Sequence, residues 1–169
     1  MKLLIIDDEE AMRHMLSIIL KKEGYEVTAL PDAGKAISTL EGGDFDFILC
    51  DIKMPGMDGL EFLKALKDRG LQYTVIMMSA YGTIDTAIDC MKLGAYDYIS
   101  KPFKTDEIIL TLKKAEERER LTRENKRLKA ETLAEYDIRR IVTKNPVMLE
   151  VLRLVKKVSG YDTPVLITG

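Results

Sequence analysis

Five side chains could act together in one reaction, because each lies directly after an apolar run. Asp7 and Asp8 follow the first run, Asp51 the third, Ser79 the fourth and Lys101 the fifth. Carboxylates within a few ångströms repel one another, and a hard divalent cation such as Mg²⁺ compensates through oxygen ligands. A cation, a nucleophilic carboxylate, a hydroxyl and a lysine together make a phosphoryl-transfer site. The joint pattern predicts phosphoryl transfer, although each residue alone is more typical of a turn or loop.

The hydrophobic pattern shows which strands and helices would position these residues. Apolar runs alternate with segments whose apolar residues recur at helical spacing, which predicts five β-α units. The predicted strands are residues 2–6, 25–30, 45–50, 73–78 and 96–100. Asp58 and Thr105 have the type and position expected of N-caps for the third and fifth helices. Alternating units of this kind form a parallel sheet that is covered by helices on both faces.

The predicted fold is therefore α/β: a flavodoxin-like, doubly wound, five-stranded parallel sheet in strand order 2-1-3-4-5. In this order the first and third strands are neighbours at the switch point, where such sheets bind ligands. Asp7, Asp8 and Asp51 would then share one crevice, with Ser79 and Lys101 on the same rim. A long linker helix should continue the fifth helix, because residues 106–135 contain neither glycine nor proline.

Composition is typical of a globular protein, with 46% hydrophobic and 32% charged residues in 169. A net charge of −2 gives no electrostatic argument for nucleic-acid binding by the chain as a whole. No apolar run approaches the roughly 20 residues of a membrane span, and early acidic residues argue against a signal peptide. We therefore expect a cytoplasmic protein without a membrane partner. Cys50 and Cys90 should be unpaired, and His14 should lie at the surface.

Residues 1–120 resemble the receiver domain of response regulators. The matching residues are Asp7-Asp8, Asp51, the loop Met54-Pro55-Gly56-Met57-Asp58-Gly59, Ser79-Ala80 and Lys101-Pro102-Phe103. The resemblance implies that Asp51 accepts a phosphoryl group from a sensor histidine kinase. It also implies that Asp8, Asp51 and the backbone carbonyl of Lys53 hold Mg²⁺, while Asp7 acts through water.

The same resemblance implies a switch rather than a conventional enzyme. Lys101 would contact the phosphoryl oxygens, and Ser79 would bond to them once Asp51 is modified. Tyr98 matches an aromatic residue that turns inward as Ser79 moves. The peptide bond before Pro102 is commonly cis in this family, which a proline permits.

Two loop residues allow two interpretations. Lys53 and Tyr81 each lie two positions beyond a site residue. A long cation and a bulky ring there could obstruct an attacking water, or both could be ordinary solvent-facing loop residues. The sequence does not favour either interpretation.

The linker at residues 106–135 is rich in Glu, Lys and Arg, as expected of a solvent-exposed helix. Leu121 and Leu128 fit d positions of a heptad, and Asn125 fits the a position between them. A buried Asn at that position favours a parallel two-stranded coil, so we predict a homodimer through this helix. The face formed by the fourth helix, fifth strand and fifth helix is a further candidate for dimerisation. A solvated monomeric linker is the alternative.

Residues 136–169 resemble the start of the AAA+ ATPase domain of NtrC-like sigma-54-dependent activators. An amphipathic helix follows Asn145-Pro146, and a strand at 163–169 would lead into a phosphate-binding loop. The GxxxxGK[ST] pattern itself is absent from the chain. The expected partners of a full-length protein are ATP, sigma-54 RNA polymerase and DNA. The alternative is a stand-alone receiver whose tail is only a dimerisation or partner-binding helix.

Two other classes fit the residues poorly. Aspartate-based phosphatases place a second acid two residues after the nucleophile, where this chain has Lys53. A flavodoxin-like cofactor carrier would need a phosphate-binding loop after the first strand, where acidic residues would repel a phosphate.

Overall fold

A computed structural model describes residues 1–80, 84–135, 143–161, 164 and 166. Within these residues, five β-α units are followed by a sixth helix. The elements are β1 (Lys2–Ile6), α1 (Glu10–Lys22), β2 (Glu26–Leu30), α2 (Ala33–Leu40), β3 (Phe47–Asp51), α3 (Gly59–Asp68), β4 (Thr74–Ser79), α4 (Ile84–Lys92), β5 (Asp97–Ser100), α5 (Thr105–Glu135) and α6 (Pro146–Val158).

The strands form one parallel sheet in the order β2-β1-β3-β4-β5. This arrangement confirms the predicted fold class and strand order. The bounds of β1 are as predicted, and those of the other four strands differ by one or two residues, because the ends of an apolar run do not mark where pairing starts. The prediction of Thr105 as an N-cap is wrong by one position, since α5 begins at that residue.

Two apolar cores lie on opposite faces of the sheet, because successive strand residues point in opposite directions. The core under α2, α3 and α4 takes Leu4, Ile6, Ile48, Cys50, Val75 and Met77 from the strands. The core under α1 and α5 takes Leu3, Ile5, Phe47, Leu49, Ile76 and Met78. Strands that are buried on both faces read as unbroken apolar runs, which is why the hydrophobic pattern located them.

The described residues divide into two compact units, residues 1–120 and 121–169. In the second unit, α6 is amphipathic and has no buried residue. Asn145 caps this helix by accepting a hydrogen bond from the Val147 amide at 2.9 Å. The strand predicted at 163–169 lies almost entirely outside the described residues.

Three smaller predictions have clear outcomes. Cys50 and Cys90 are buried free thiols, and His14 is exposed, as predicted. Burial raises the pKa of both thiols, so neither is a reactive thiolate at neutral pH. Among the described residues, no helix combines the length and apolar character that a membrane span needs.

Candidate functional site

The carboxyl ends of β1 and β3 lie side by side and carry the acidic residues. The two strands pair in parallel up to Ile6 and Cys50, so Asp7 and Asp51 come next on neighbouring strands. Both carboxylates are buried, with 1% of Asp7 and 5% of Asp51 exposed. The switch point of the sheet therefore holds two acidic side chains that need compensating charge.

The β4–β5 edge places Lys101 beside this acidic pair. Ser79 pairs with Ser100, and the Lys101 amide donates a hydrogen bond to the Ser79 carbonyl at 2.7 Å. The Lys101–Pro102 peptide bond is cis, as the resemblance implied. The lysine thus enters the crevice from the end of β5.

The Lys101 ammonium bridges the two buried carboxylates. Its Nζ atom lies 2.7 Å from Asp7 Oδ2 and 2.6 Å from Asp51 Oδ1, and only 12% of its side chain is exposed. Charge-assisted hydrogen bonds of this length are among the stronger ones in proteins. Three of the five residues predicted from the sequence are thus in direct contact.

Burial raises the pKa of Asp51, and Asp7 reinforces this effect, whereas the Lys101 ammonium and the Lys53 amide oppose it. Burial by itself would lower the pKa of Lys101, but its bonds to both carboxylates outweigh that effect and raise it. The lysine is therefore charged at neutral pH. Because one ammonium serves two carboxylates, part of the negative charge at this edge of the sheet is not compensated by Lys101.

The loop after β3 holds the second carboxylate oxygen of Asp51 and aligns α3 behind it. The Lys53 amide donates to Asp51 Oδ2 at 3.0 Å. The chain then turns at Gly56, whose φ of 81° suits glycine. Asp58 caps α3 with a complete capping box, which confirms that prediction. Asp51 therefore does not cap α3.

Gly59 lies where the start of α3 approaches the end of β3 closely. A β-carbon there would lie 2.6 Å from the Asp51 carbonyl oxygen and 2.8 Å from the Ile52 α-carbon. The Gly59 amide donates to the Ile52 carbonyl at 2.8 Å. Only glycine lets the helix begin this close to the residue that follows Asp51.

The two acids after β1 have different environments. Asp7 has both carboxylate oxygens engaged, since Oδ1 accepts from the Glu9 amide at 2.9 Å and Oδ2 contacts Lys101. Asp8 is exposed. Two of the three carboxylates predicted to share the crevice thus meet at Lys101, and Asp8 lies at the exposed position directly after Asp7.

Ser79 and Tyr98 lie on β4 and β5, the paired strands that lead to Lys101. Ser79 is 2% exposed at the end of β4. Tyr98 packs against the core under α2, α3 and α4, and its buried hydroxyl has no hydrogen-bond partner among the described residues. Tyr81 lies outside the described residues, and Lys53 is exposed.

The ligands offered here are oxygen atoms, which suit Mg²⁺ rather than a transition metal. Within the described residues, no three acidic, histidine or cysteine side chains form a metal cluster. Mg²⁺ retains several waters, so two carboxylates and a backbone carbonyl fit its needs. Asp8 and Asp51 can supply those carboxylates, although the two oxygens of Asp51 now contact the Lys101 ammonium and the Lys53 amide. When bound, the ion would neutralise charge on a transferring phosphoryl group.

Two contributors to the site were not predicted from the sequence. Arg13 donates from Nη1 to the carbonyl oxygens of Asp7 at 2.8 Å and Asp8 at 2.9 Å. Gly59 was noted only as part of a loop. The sequence did contain a clue to Arg13, because this residue lies near the start of α1 and close in sequence to the acid pair.

Comparison with known proteins agrees with this geometry. The family described as "Response regulator receiver domain" matches residues 3–113. Regulatory protein AtoC of Escherichia coli strain K12 is 31% identical over 168 residues, which are 99% of this chain and 36% of AtoC. The C4-dicarboxylate transport transcriptional regulatory protein DctD of Rhizobium meliloti strain 1021 is 30% identical over 165 residues, 98% of this chain and 36% of DctD.

A solved structure with a similar sequence identity to this chain shares the fold. The solution structure of the beryllofluoride-activated NtrC4 receiver domain dimer is 34% identical, with a TM-score of 0.64. The match covers 68% of this chain and 94% of the solved one. The chain spans about a third of the length of the curated relatives it matches. Fold, site and family match together establish that the chain belongs to the response regulator receiver family.

Proposed function

We propose that Asp51 is the phosphoacceptor of a two-component switch and receives its phosphoryl group from a sensor histidine kinase. The observation that carries this proposal is the Lys101 ammonium, held 2.6 Å from Asp51 Oδ1 and 2.7 Å from Asp7 Oδ2. A buried carboxylate is a poorly hydrated nucleophile, and the cation beside it can bind the incoming phosphoryl oxygens.

In the proposed step, an Asp51 oxygen attacks the phosphorus atom in line. An O–P bond forms as the P–N bond to the donor imidazole breaks, and the bonding pair returns to the imidazole nitrogen. Lys101 then moves its charge from the carboxylate to the phosphoryl oxygens. Asp8, Asp51 and the Lys53 carbonyl are the proposed Mg²⁺ ligands. Asp7 acts through water and by holding Lys101.

The proposed response to phosphorylation runs through Ser79 and Tyr98. Ser79 ends β4 next to the acceptor strand, so its hydroxyl can turn to a phosphoryl oxygen on Asp51. Tyr98 lies three residues before Lys101 on β5, and its unpartnered buried hydroxyl is a costly arrangement that a rearrangement could relieve. The two residues would therefore move together when the charge at Asp51 changes.

The proposed output is a change in self-association. Leu121 and Leu128 on α5 are each about half exposed, at 52% and 49%, which supports a coil between two copies. On α4, Ile84, Ile88 and Met91 are also exposed, at 82%, 45% and 48%. These residues recur at helical spacing, so they favour the α4-β5-α5 face as a second contact. The NtrC4 structure concerns a receiver domain dimer.

We further propose that residues 136–169 begin an AAA+ ATPase domain that acts with sigma-54 RNA polymerase, ATP and DNA in the cytoplasm. Support comes from relatives about three times as long that match nearly the whole chain. The exposed apolar residues of α6, including Val147 and Leu154, suit a helix that packs against further structure. A stand-alone receiver with a partner-binding tail is the alternative, and the sequence encoded beyond Gly169 distinguishes the two.

The test is phosphorylation by acetyl phosphate and Mg²⁺, followed by intact-mass measurement. The wild-type chain should gain one phosphoryl group, and Asp51→Asn should gain none, because the amide is not a competent nucleophile. Asp68→Asn removes an exposed carboxylate from α3 and is the matched control, which should be modified like wild type. Modification of Asp51→Asn at the wild-type rate would show that another residue is the acceptor.

A further inference from the structure

The turn between β1 and α1, which carries the acid pair, is held by contacts outside the sheet. The Glu9 amide donates to Asp7 Oδ1 at 2.9 Å, which closes a tight turn around the first acid. Glu9 is the N-cap position of α1, but its side chain makes no cap hydrogen bond. The helix start therefore depends on other contacts for its alignment with the site.

Arg13 supplies two of those contacts from the helix itself. Its Nη1 atom donates to the Asp7 carbonyl at 2.8 Å and to the Asp8 carbonyl at 2.9 Å. The Arg13 amide also donates to the Glu9 carbonyl at 3.1 Å, the helical bond that fixes where the arginine leaves α1. One nitrogen atom thus ties two successive peptide units of the turn to the first turn of the helix.

This arrangement has different consequences for the two acids. Asp7 is already fixed by Lys101 and by the Glu9 amide, so its orientation does not depend on Arg13 alone. Asp8 is exposed, and the described residues give its carboxylate no hydrogen bond. The direction in which the Asp8 side chain leaves the backbone is then set by its peptide unit, which Arg13 holds.

We propose that Arg13 is a positioning residue for the cation site: by holding the carbonyls of Asp7 and Asp8, it aims the Asp8 carboxylate at a divalent cation shared with Asp51. The inference rests on the proposed function, since it assumes that Asp8 is a ligand. Outer-shell partners of this kind typically change metal affinity by about 10–100-fold when removed.

Arg13 also carries a positive charge close to the acidic crevice, and repulsion by that charge should weaken Mg²⁺ binding. If charge alone mattered, removal of the guanidinium would remove a repulsion and tighten Mg²⁺ binding. If positioning dominates, removal loosens the turn and weakens binding. The two effects therefore predict opposite signs for the same substitution.

The experiment measures the Mg²⁺ dissociation constant of the full chain by NMR titration of backbone amides. Arg13→Ala should weaken Mg²⁺ binding about tenfold. Arg13→Lys keeps the charge but places it on a side chain one bond shorter, so it should fall between Arg13→Ala and wild type. Lys22→Ala removes one exposed charge from the last turn of the same helix, and it should bind Mg²⁺ like wild type. If Arg13→Ala does not fold, Arg13→Gln takes its place with the same expectation.

Each outcome decides the inference. Binding by Arg13→Ala that is as tight as, or tighter than, that of wild type overturns it, because charge alone then explains the arginine. A loss of unfolding free energy with unchanged Mg²⁺ affinity in the folded protein also overturns it, since the contact is then only structural. Failure of the wild-type chain to bind Mg²⁺ would instead contradict the proposed function.

Discussion

Gly59→Ala adds one methyl group where α3 meets the end of β3. That methyl would lie 2.6 Å from the Asp51 carbonyl oxygen and 2.8 Å from the Ile52 α-carbon, both backbone atoms. It would also lie 2.6 Å from the terminal methyl of Met77, which is flexible. Backbone atoms cannot move aside as a side-chain end can, so either the helix or the strand end must shift.

The expected change in the free energy of unfolding combines one stabilising and two destabilising effects. In open space, a change from glycine to alanine in a helix stabilises a protein by about 0.4–1 kcal/mol. Forcing extra carbon into a packed site costs about 1–3 kcal/mol. Displacing α3 also strains the 2.8 Å bond from the Gly59 amide to the Ile52 carbonyl, which is worth roughly 1 kcal/mol. We expect a net loss of about 1–3 kcal/mol in the free energy of unfolding.

Gly34→Ala provides the matched control, because Gly34 lies in the first turn of α2. Its added methyl would meet only an oxygen of the Asp32 side chain at 3.4 Å, an ordinary contact. This variant should be as stable as wild type or gain up to about 1 kcal/mol. The same chemical change is therefore expected to have opposite signs in two helices.

Urea unfolding followed by circular dichroism measures both variants, and acetyl phosphate labelling reports on the site. Gly59→Ala should also be phosphorylated more slowly than Gly34→Ala, because the shifted backbone belongs to Asp51. If Gly59→Ala proves as stable as wild type, the close approach is not a constraint and the reasoning from backbone geometry fails. Equal losses in both glycine variants would point to a general effect of alanine instead.

Four further predictions concern the charge at Asp51, self-association and the contact between Tyr25 and α5. Burial raises the pKa of Asp51, so the ionised carboxylate destabilises the folded state at neutral pH. Asp51→Asn should therefore raise the free energy of unfolding at neutral pH. This gain should disappear at acidic pH, where Asp51 of the wild type is protonated. Lys101→Ala should raise the pKa of Asp51 further, so phosphorylation should be lost at a higher pH than in wild type. Leu121→Lys should weaken any dimer seen by ultracentrifugation by about 1 kcal/mol per chain, since half of a side chain worth roughly 1.5–3 kcal/mol remains to be buried. Tyr25→Phe removes the 2.6 Å bond from its hydroxyl to Glu116 and should lower the free energy of unfolding by about 1 kcal/mol.

Burial of the α5 leucines can supply only part of the free energy that dimerisation needs. Leu121 and Leu128 of two chains together offer about 3–6 kcal/mol, which association costs of roughly 4–15 kcal/mol can exceed. A tight dimer therefore needs additional apolar area, and the exposed residues of α4, led by Ile84 at 82%, are one source of it. An unphosphorylated chain that dimerises through α5 alone would contradict this arithmetic.

The sequence by itself determined the sheet and the position of Asp51 within it. Strands that are buried on both faces must be apolar throughout, and short β-α connections leave one economical topology. The same pattern placed Asp7, Ser79 and Lys101 at strand ends, because parallel strands end on one edge of the sheet. Asp58 was also identified as a cap from local position alone, since capping is a contact within four residues.

Only the tertiary structure decided how those residues interact. Asp7 and Asp8 are adjacent in sequence, and no pattern tells which is buried against Lys101, a residue 94 positions away. The Arg13 contacts to both carbonyls and the near-contact at Gly59 depend on where α1 and α3 pack, not on residue type. Three carboxylates near one crevice were predicted, and the structure shows which two of them, Asp7 and Asp51, share one ammonium, while Asp8 is exposed. Residue type sets the chemistry that is available, whereas packing sets which atoms are close enough to use it.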